Sequence, residues 1–146
     1  MVVREILRTK RGELITAKVS MALFRAMELM INNRISCLPV LDEQGQLTGI
    51  VSDKDIFKRL HEDAGQFQDV SVGELMTTDV IVGLLSDEIS YIAGLMTTNR
   101  VRHIPILDGD QLVGLVSVGD IVKTQMEDIV VENRYLRQYI DGSYPA

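Results

Sequence analysis

The chain has no tryptophan, one cysteine, three prolines and only 5% aromatic residues in 146. Each shortage excludes something. A lone cysteine, Cys37, cannot build an intrachain disulfide framework, and it fits a reducing compartment. Without a series of aromatics, the stacking platforms of single-strand nucleic-acid binders are missing. Positive charge is also scarce, since 15 Lys and Arg against 21 Asp and Glu give a formal net charge of −6. Duplex nucleic acid is bound by neutralising phosphates, so this balance argues against that partner. No apolar run approaches the roughly 20 residues that span a bilayer. The N-terminal MVVREILRTKRGEL lacks the apolar core of a signal peptide. A cytoplasmic protein with no membrane partner is the expectation.

Catalytic equipment is short too. His61 and His103 are the two histidines, and neither joins Cys37 or acids at metal-ligand spacing, so no metal site is expected. No nucleophile–base pair or carboxylate dyad stands out, and the chain reads as a non-enzyme with no catalytic residue. Cys37 reads as an inert small hydrophobe, because no neighbouring charge in sequence activates it.

What the chain does have is a repeat. Residues Asn33–Ile56 read NRISCLPVLDEQGQLTGIVSDKDI, and Asn99–Ile121 read NRVRHIPILDGDQLVGLVSVGDI. Pro39 and Pro105 lie 66 residues apart, whereas Asp55 and Asp120 lie 65 apart, so one residue is lost in the turn between these anchors. Self-similarity at a fixed period sets the architecture first. Two copies suit paired half-domains with a shared cleft. We take 1–62 as the first repeat, 63–125 as the second, and 126–146 as a helical extension and tail.

Within each copy the same order is read. A short apolar strand (Leu14–Ala17, Val80–Val82) precedes a helix (Ser20–Asn32, Ser86–Thr98), with Ser86-Asp87-Glu88 as a start signal. A hairpin follows: Cys37–Leu41 to Leu47–Val51 through Glu43-Gln44-Gly45, and Ile104–Leu107 to Leu112–Val116 through Asp108-Gly109-Asp110. Second helices begin at Ser52 and Ser117, and Leu60–Val70, containing Gly65, reads as the linker. Each repeat is β-α-β-β-α, and the fold class is mixed α/β (α+β). From Asp120 to Ile140 one helix of about 20 residues is expected. Val122, Met126, Ile129, Asn133, Leu136 and Ile140 trace a stripe along it.

The candidate chemistry sits in Gly49-Ile-Val-Ser52-Asp-Lys-Asp55 and Gly114-Leu-Val-Ser117-Val-Gly-Asp120. Ser-x-x-Asp at a strand-to-helix junction is a capping box. The same site offers free N–H groups and a positive helix end to a phosphate, and an aspartate that can accept ribose hydroxyls. The glycine lets a flat base approach the strand. Arg4, Arg8, Lys10 and Arg11 form a basic cluster, read as a solvated face or as a rim for an anionic ligand.

With both motifs present in both copies, the chain resembles a tandem pair of cystathionine-β-synthase (CBS) domains over nearly all of residues 1–125. The resemblance implies two repeats packed sheet to sheet, two symmetry-related clefts, and adenosine-containing ligands such as AMP, ADP, ATP or S-adenosylmethionine. It implies a cleft of Ser52 and Asp55, with Ile81 and Val101 against the base and Arg102 and His103 toward phosphate. The other cleft would use Ser117 and Asp120, with Ile15 and Ile35 against the base. There Ser36 and Cys37 replace the basic pair, and Lys54 alone compensates. Unequal clefts follow, the Arg102/His103 side taking more phosphate charge. The implied function is a regulatory module that senses an adenine nucleotide and passes its occupancy to an effector protein, as a flat homodimer. A constitutive dimerisation module with weak or empty clefts is the alternative from another class.

Overall fold

The computed structural model describes residues 1–64, 66 and 68–142. Gly65 of the expected linker, and 143–146 of the expected tail, lie outside the described residues. In chain order the elements are α1 (Val3–Thr9), β1 (Ala17–Lys18), α2 (Leu23–Asn33), β2 (Cys37–Leu41), β3 (Leu47–Ser52), α3 (Asp53–Glu62), α4 (Val72–Leu75), β4 (Gly83–Leu84), α5 (Ile89–Asn99), β5 (His103–Asp108), β6 (Gln111–Ser117) and α6 (Val118–Ile140). They build two three-stranded sheets, β1-β2-β3 and β4-β5-β6. In each, the first strand runs parallel to the second and the hairpin is antiparallel. The mixed α/β class and the repeated order stand as read from the sequence.

The hairpins show where the missing residue went. Pro39 faces Ile50 and Pro105 faces Leu115, so the registers match around the prolines. The first turn is long: Leu41 pairs with Leu47, and the Asp42 carboxylate accepts N–H bonds from Gln44 and Gln46. In the second, Asp108 pairs directly with Gln111. The deletion therefore lies at the hairpin tip, where it disturbs no core residue. Proline lacks the N–H that a central strand needs. Both prolines are accommodated because β1 pairs only with Val40 and Leu41, and β4 only with Ile106 and Leu107.

Two helices escaped the sequence reading. Val3, Ile6 and Leu7 at i, i+3, i+4 make α1 amphipathic, and Val3 and Ile6 are buried in the second core with Ile92, Ile104 and Val116. The short α4 carries Val72 into the first core, beside Leu23, Leu38 and Val51. Fully burying one such side chain stabilises the fold by about 1.5–3 kcal/mol.

These two segments also explain why the strands and first helices start later than expected. The N–H of Leu23 donates to Val70 O and that of Ile89 to Met1 O, so a distant carbonyl caps each helix. Ser20 and Ser86 do not cap; the N-cap residues are Ala22 and Glu88, without side-chain cap bonds. Asp87 instead accepts from the Leu84 N–H at 2.8 Å, closing the turn after β4.

The long helix begins two residues earlier than expected and leaves its module. Ile121 is buried, but Met126, Ile129, Leu136 and Ile140 are each more than half exposed. A fold-back of this stripe onto its own core does not occur.

Candidate ligand-binding clefts

Both expected capping boxes are present. Ser52 Oγ accepts from the Asp55 N–H at 3.3 Å, and Asp55 Oδ2 accepts from the Ser52 N–H at 2.9 Å. The Ser117–Asp120 pair repeats this at 3.1 and 2.9 Å. Each serine ends its strand in extended geometry, and the aspartate three residues on satisfies an orphan donor of the helix start. The cap accounts for these residues locally. Their neighbours differ.

At Ser117 a cavity of about 500 Å³ opens between the repeats. Ile15, Ile35, Ser36 and Cys37 line it from the first repeat, and Ser117 and Asp120 from the second, as the sequence reading grouped them. The segment after α1 adds Lys10 and Arg11, and the end of α2 adds Arg34. Lys10 Nζ donates to Asp120 Oδ2 at 2.7 Å and to Leu115 O at 2.6 Å. Partial burial of Asp120 would raise its pKa, but the Lys10 hydrogen bond, the Ser117 N–H and the Lys10 charge outweigh it. The carboxyl is held below its ordinary value. Asp120 is therefore an ionised acceptor beside an ammonium group.

At Ser52 the corresponding space is occupied by the chain itself. Thr77 forms a two-way backbone bridge with Ile50, at 2.8 and 2.9 Å, along the edge of β3. Ile50 corresponds to Leu115, so the carbonyl that receives a backbone N–H here receives the Lys10 ammonium in the other cleft. Met76 corresponds to Lys10 and lies on Gly49; a Cβ there would meet Met76 Sδ at 2.5 Å and Thr77 O at 3.0 Å. Thr77 Oγ1 also donates to Asp55 Oδ1 at 3.4 Å. A separate cavity of about 300 Å³ is lined by Thr48, Thr78, Val80 and Val82.

Several assignments change. His103 lines the Ser117 cavity, not a Ser52 one, because the β5–β6 register sets it opposite Ser117. Burial first, then the Arg102 and Lys10 charges, lower its pKa below the ordinary 6.5, so it is a neutral imidazole at pH 7. Arg102 reaches the start of α3, where its Nη2 pairs with Asp53 Oδ1 at 3.3 Å, a contact largely open to solvent. Lys54 is exposed on α3 and does not line the Ser117 cavity. The Ser117 cleft is thus not poor in positive charge; the basic groups come from Lys10, Arg11 and Arg34. Ile81 and Val101 are partly buried against the second core. Gly49 and Gly114 lie under Met76 and Leu7, so what approaches the strand is protein rather than a base. Burial pushes the Cys37 thiol to about 12, helped by Asp53 and Asp55, in keeping with an inert role.

The missed residues had a weak signal. Lys10 and Met76 share the 66-residue offset, and so do Arg34 and Arg100. The offset extends the repeat upstream of β1, where the sequence reading had not followed it. Both arginines adopt left-handed backbone, φ 53° and 55°, as helix C-caps. Among the described residues no group of three or more metal-ligating side chains converges, and no helix is long and apolar enough to cross a membrane.

Against known proteins, the CBS-domain profile matches residues 3–62 and 72–127. The CBS domain-containing protein CBSX3, mitochondrial, of Arabidopsis thaliana is 29% identical over 125 residues. That match takes in 83% of this chain but 61% of the plant sequence, so the chain spans about three fifths of that relative. The CBS domain pair of protein MJ0100, in complex with 5′-methylthioadenosine and S-adenosyl-L-methionine, superposes with TM-score 0.77 at 27% identity, covering 88% of this chain and 98% of that one. CBSX2 in complex with AMP gives TM-score 0.73 at 28% identity, covering 86% and 96%.

Proposed function

The chain belongs to the CBS-domain family, and from that premise we propose that it is a regulatory module whose Ser117 cleft binds an adenosine-containing ligand. The observation that carries this reading is the pairing of an ionised Asp120 with Lys10 at the mouth of a helix, beside a cavity of about 500 Å³. Asp120 accepts the ribose hydroxyls. The adenine lies against Ile15 and Ile35. Lys10 and Arg11, with the N-terminus of α6, receive the phosphate. The ligand is AMP, ADP or ATP, and the bound nucleotide of CBSX2 supports that class. S-adenosylmethionine is the second candidate, supported by the ligands of the MJ0100 pair.

The mechanism is differential binding. The cavity is lined by both repeats, so a ligand that prefers one packing of the repeats over another shifts their balance. An effector protein and a second copy of the chain read that shift; we propose a homodimer. No catalytic step is assigned. On the Ser52 side, Asp55 acts first as a helix cap, and any ligand there must share Asp55 with Thr77.

Calorimetric titration with AMP, ADP, ATP and S-adenosylmethionine tests the reading. We expect saturable binding of at least one, and Asp120→Ala to weaken it. No heat and no thermal stabilisation with any of the four, at concentrations up to millimolar, would overturn it. Ligand at 100 times its dissociation constant should add about 2.7 kcal/mol of stability.

A further inference from the structure

We infer that the exposed end of α6 forms a parallel, in-register, two-stranded coiled coil with α6 of a second copy. The inference rests on the homodimer part of the proposed function and specifies how the partner is recognised. From Gln125 to Ile140, each α6 residue is exposed except the half-buried Gln138, so this length of helix has left its own module. The stripe Val122, Met126, Ile129, Asn133, Leu136, Ile140 is spaced 4-3-4-3-4. That is the heptad spacing of a two-helix seam, with Val122, Ile129 and Leu136 at d and Met126, Asn133 and Ile140 at a. A globular helix that covers its own core carries a broader stripe.

Direction and register follow from two independent features. In a parallel pair, a positions face each other, so Asn133 meets Asn133 of the second copy and the two amides satisfy each other. In an antiparallel pair, a packs against d, and Asn133 would be set against Ile129 with its amide unpaired. Charge points the same way. Glu132 at g and Arg137 at e are five residues apart, the separation at which g and e meet across a parallel seam. Antiparallel pairing would set Glu132 against Glu132 and Lys123 against Arg137. Both contacts repel.

The test introduces one cysteine at the far end, Ile140→Cys, with the buried Cys37 left in place and the parent chain as control. In the parallel coil the two new thiols are neighbours, and mild oxidation should give a nearly complete disulfide-linked dimer. In an antiparallel pair they are about 27 Å apart along the axis. Glu127→Cys, on the outer face, should cross-link only at the slow rate of random collision. Arg137→Glu should weaken the dimer about fivefold, and Glu132→Arg combined with it should restore it. A dimer by light scattering that fails to cross-link at position 140 overturns the coil, and so does a chain that stays monomeric at tens of micromolar. AMP titration of the same variants separates the readings. Lost cross-linking with intact AMP binding strikes the coil alone, whereas absent AMP binding with intact cross-linking supports the coil and strikes the ligand assignment.

Discussion

Around Ser52 and around Ser117 the chain builds the same strand, the same cap and the same helix start, then treats the space beside them in opposite ways. At Ser52 the preceding segment binds to the strand edge through its backbone, with Thr77 bridged to Ile50 and Met76 packed on Gly49. At Ser117 the equivalent segment keeps off the strand, and a lysine side chain reaches in to Leu115 O and Asp120. One cleft is closed with apolar chain and the other is left open and charged. The difference comes from Met76 against Lys10, one substitution at the repeat offset, and not from the Ser-x-x-Asp motif that the two share. In a duplicated protein, the segments that flank the repeat decide which site stays available.

The largest effect should come from erasing that difference. Lys10→Met gives the Ser117 cleft the residue of its counterpart and removes a charge-assisted donor, worth about 1.5–3 kcal/mol. Affinity for ATP should fall about tenfold or more, while a neutral adenosine derivative should lose less. Asp120→Ala should weaken every adenosine ligand by a similar factor, and Asp55→Ala should have the smaller effect on binding. Equal losses for the two aspartates, measured by calorimetry, would break the comparison.

Next in size are the glycines under the covering side chains. Alanine at position 49 meets Met76 and the backbone oxygen of Thr77, which the β-bridge holds. Alanine at 114 meets only the tip of Leu7, which can turn aside. Overpacking of this kind costs about 1–3 kcal/mol. Gly49→Ala should lie at the upper end and Gly114→Ala at or below the lower, read as the shift in Tm. The reverse order would mean that the Thr77 segment is the looser of the two.

The smallest effect near neutral pH concerns Cys37 and His103, which stand at equivalent positions. The folded state disfavours the charged form of each. For His103, whose folded pKa lies below the ordinary 6.5, stability is complete above that value and lost as pH falls below it, because the unfolded chain takes the proton first. For Cys37, pushed from 9.0 to about 12, stability is complete below pH 9 and lost as pH rises beyond it. His103→Gln should flatten the acid side of a stability–pH curve and leave the alkaline side unchanged. A mutant curve parallel to the parent on the acid side would place His103 in a solvent-like setting.

Much of this was legible in the chain itself. The repeat, the β-α-β-β-α order, the hairpins, both capping boxes and the start of a long final helix depend on contacts within a few residues, so periodicity and turn chemistry reveal them. Even the grouping of Ile15, Ile35 and Ser36 with Ser117 and Asp120 followed from duplication, once a shared cleft was assumed. The rest needed the tertiary structure. Lys10 and Asp120 are separated by 110 residues, and Leu23 and Ile89 take their caps from Val70 and Met1. His103 changed clefts because strand register set it opposite Ser117. Nothing in a single stretch of sequence fixes which carbonyl will cap a helix or which cation will reach a carboxylate. Those partners are chosen by loop closure between distant segments, and only the packed chain brings their ends together.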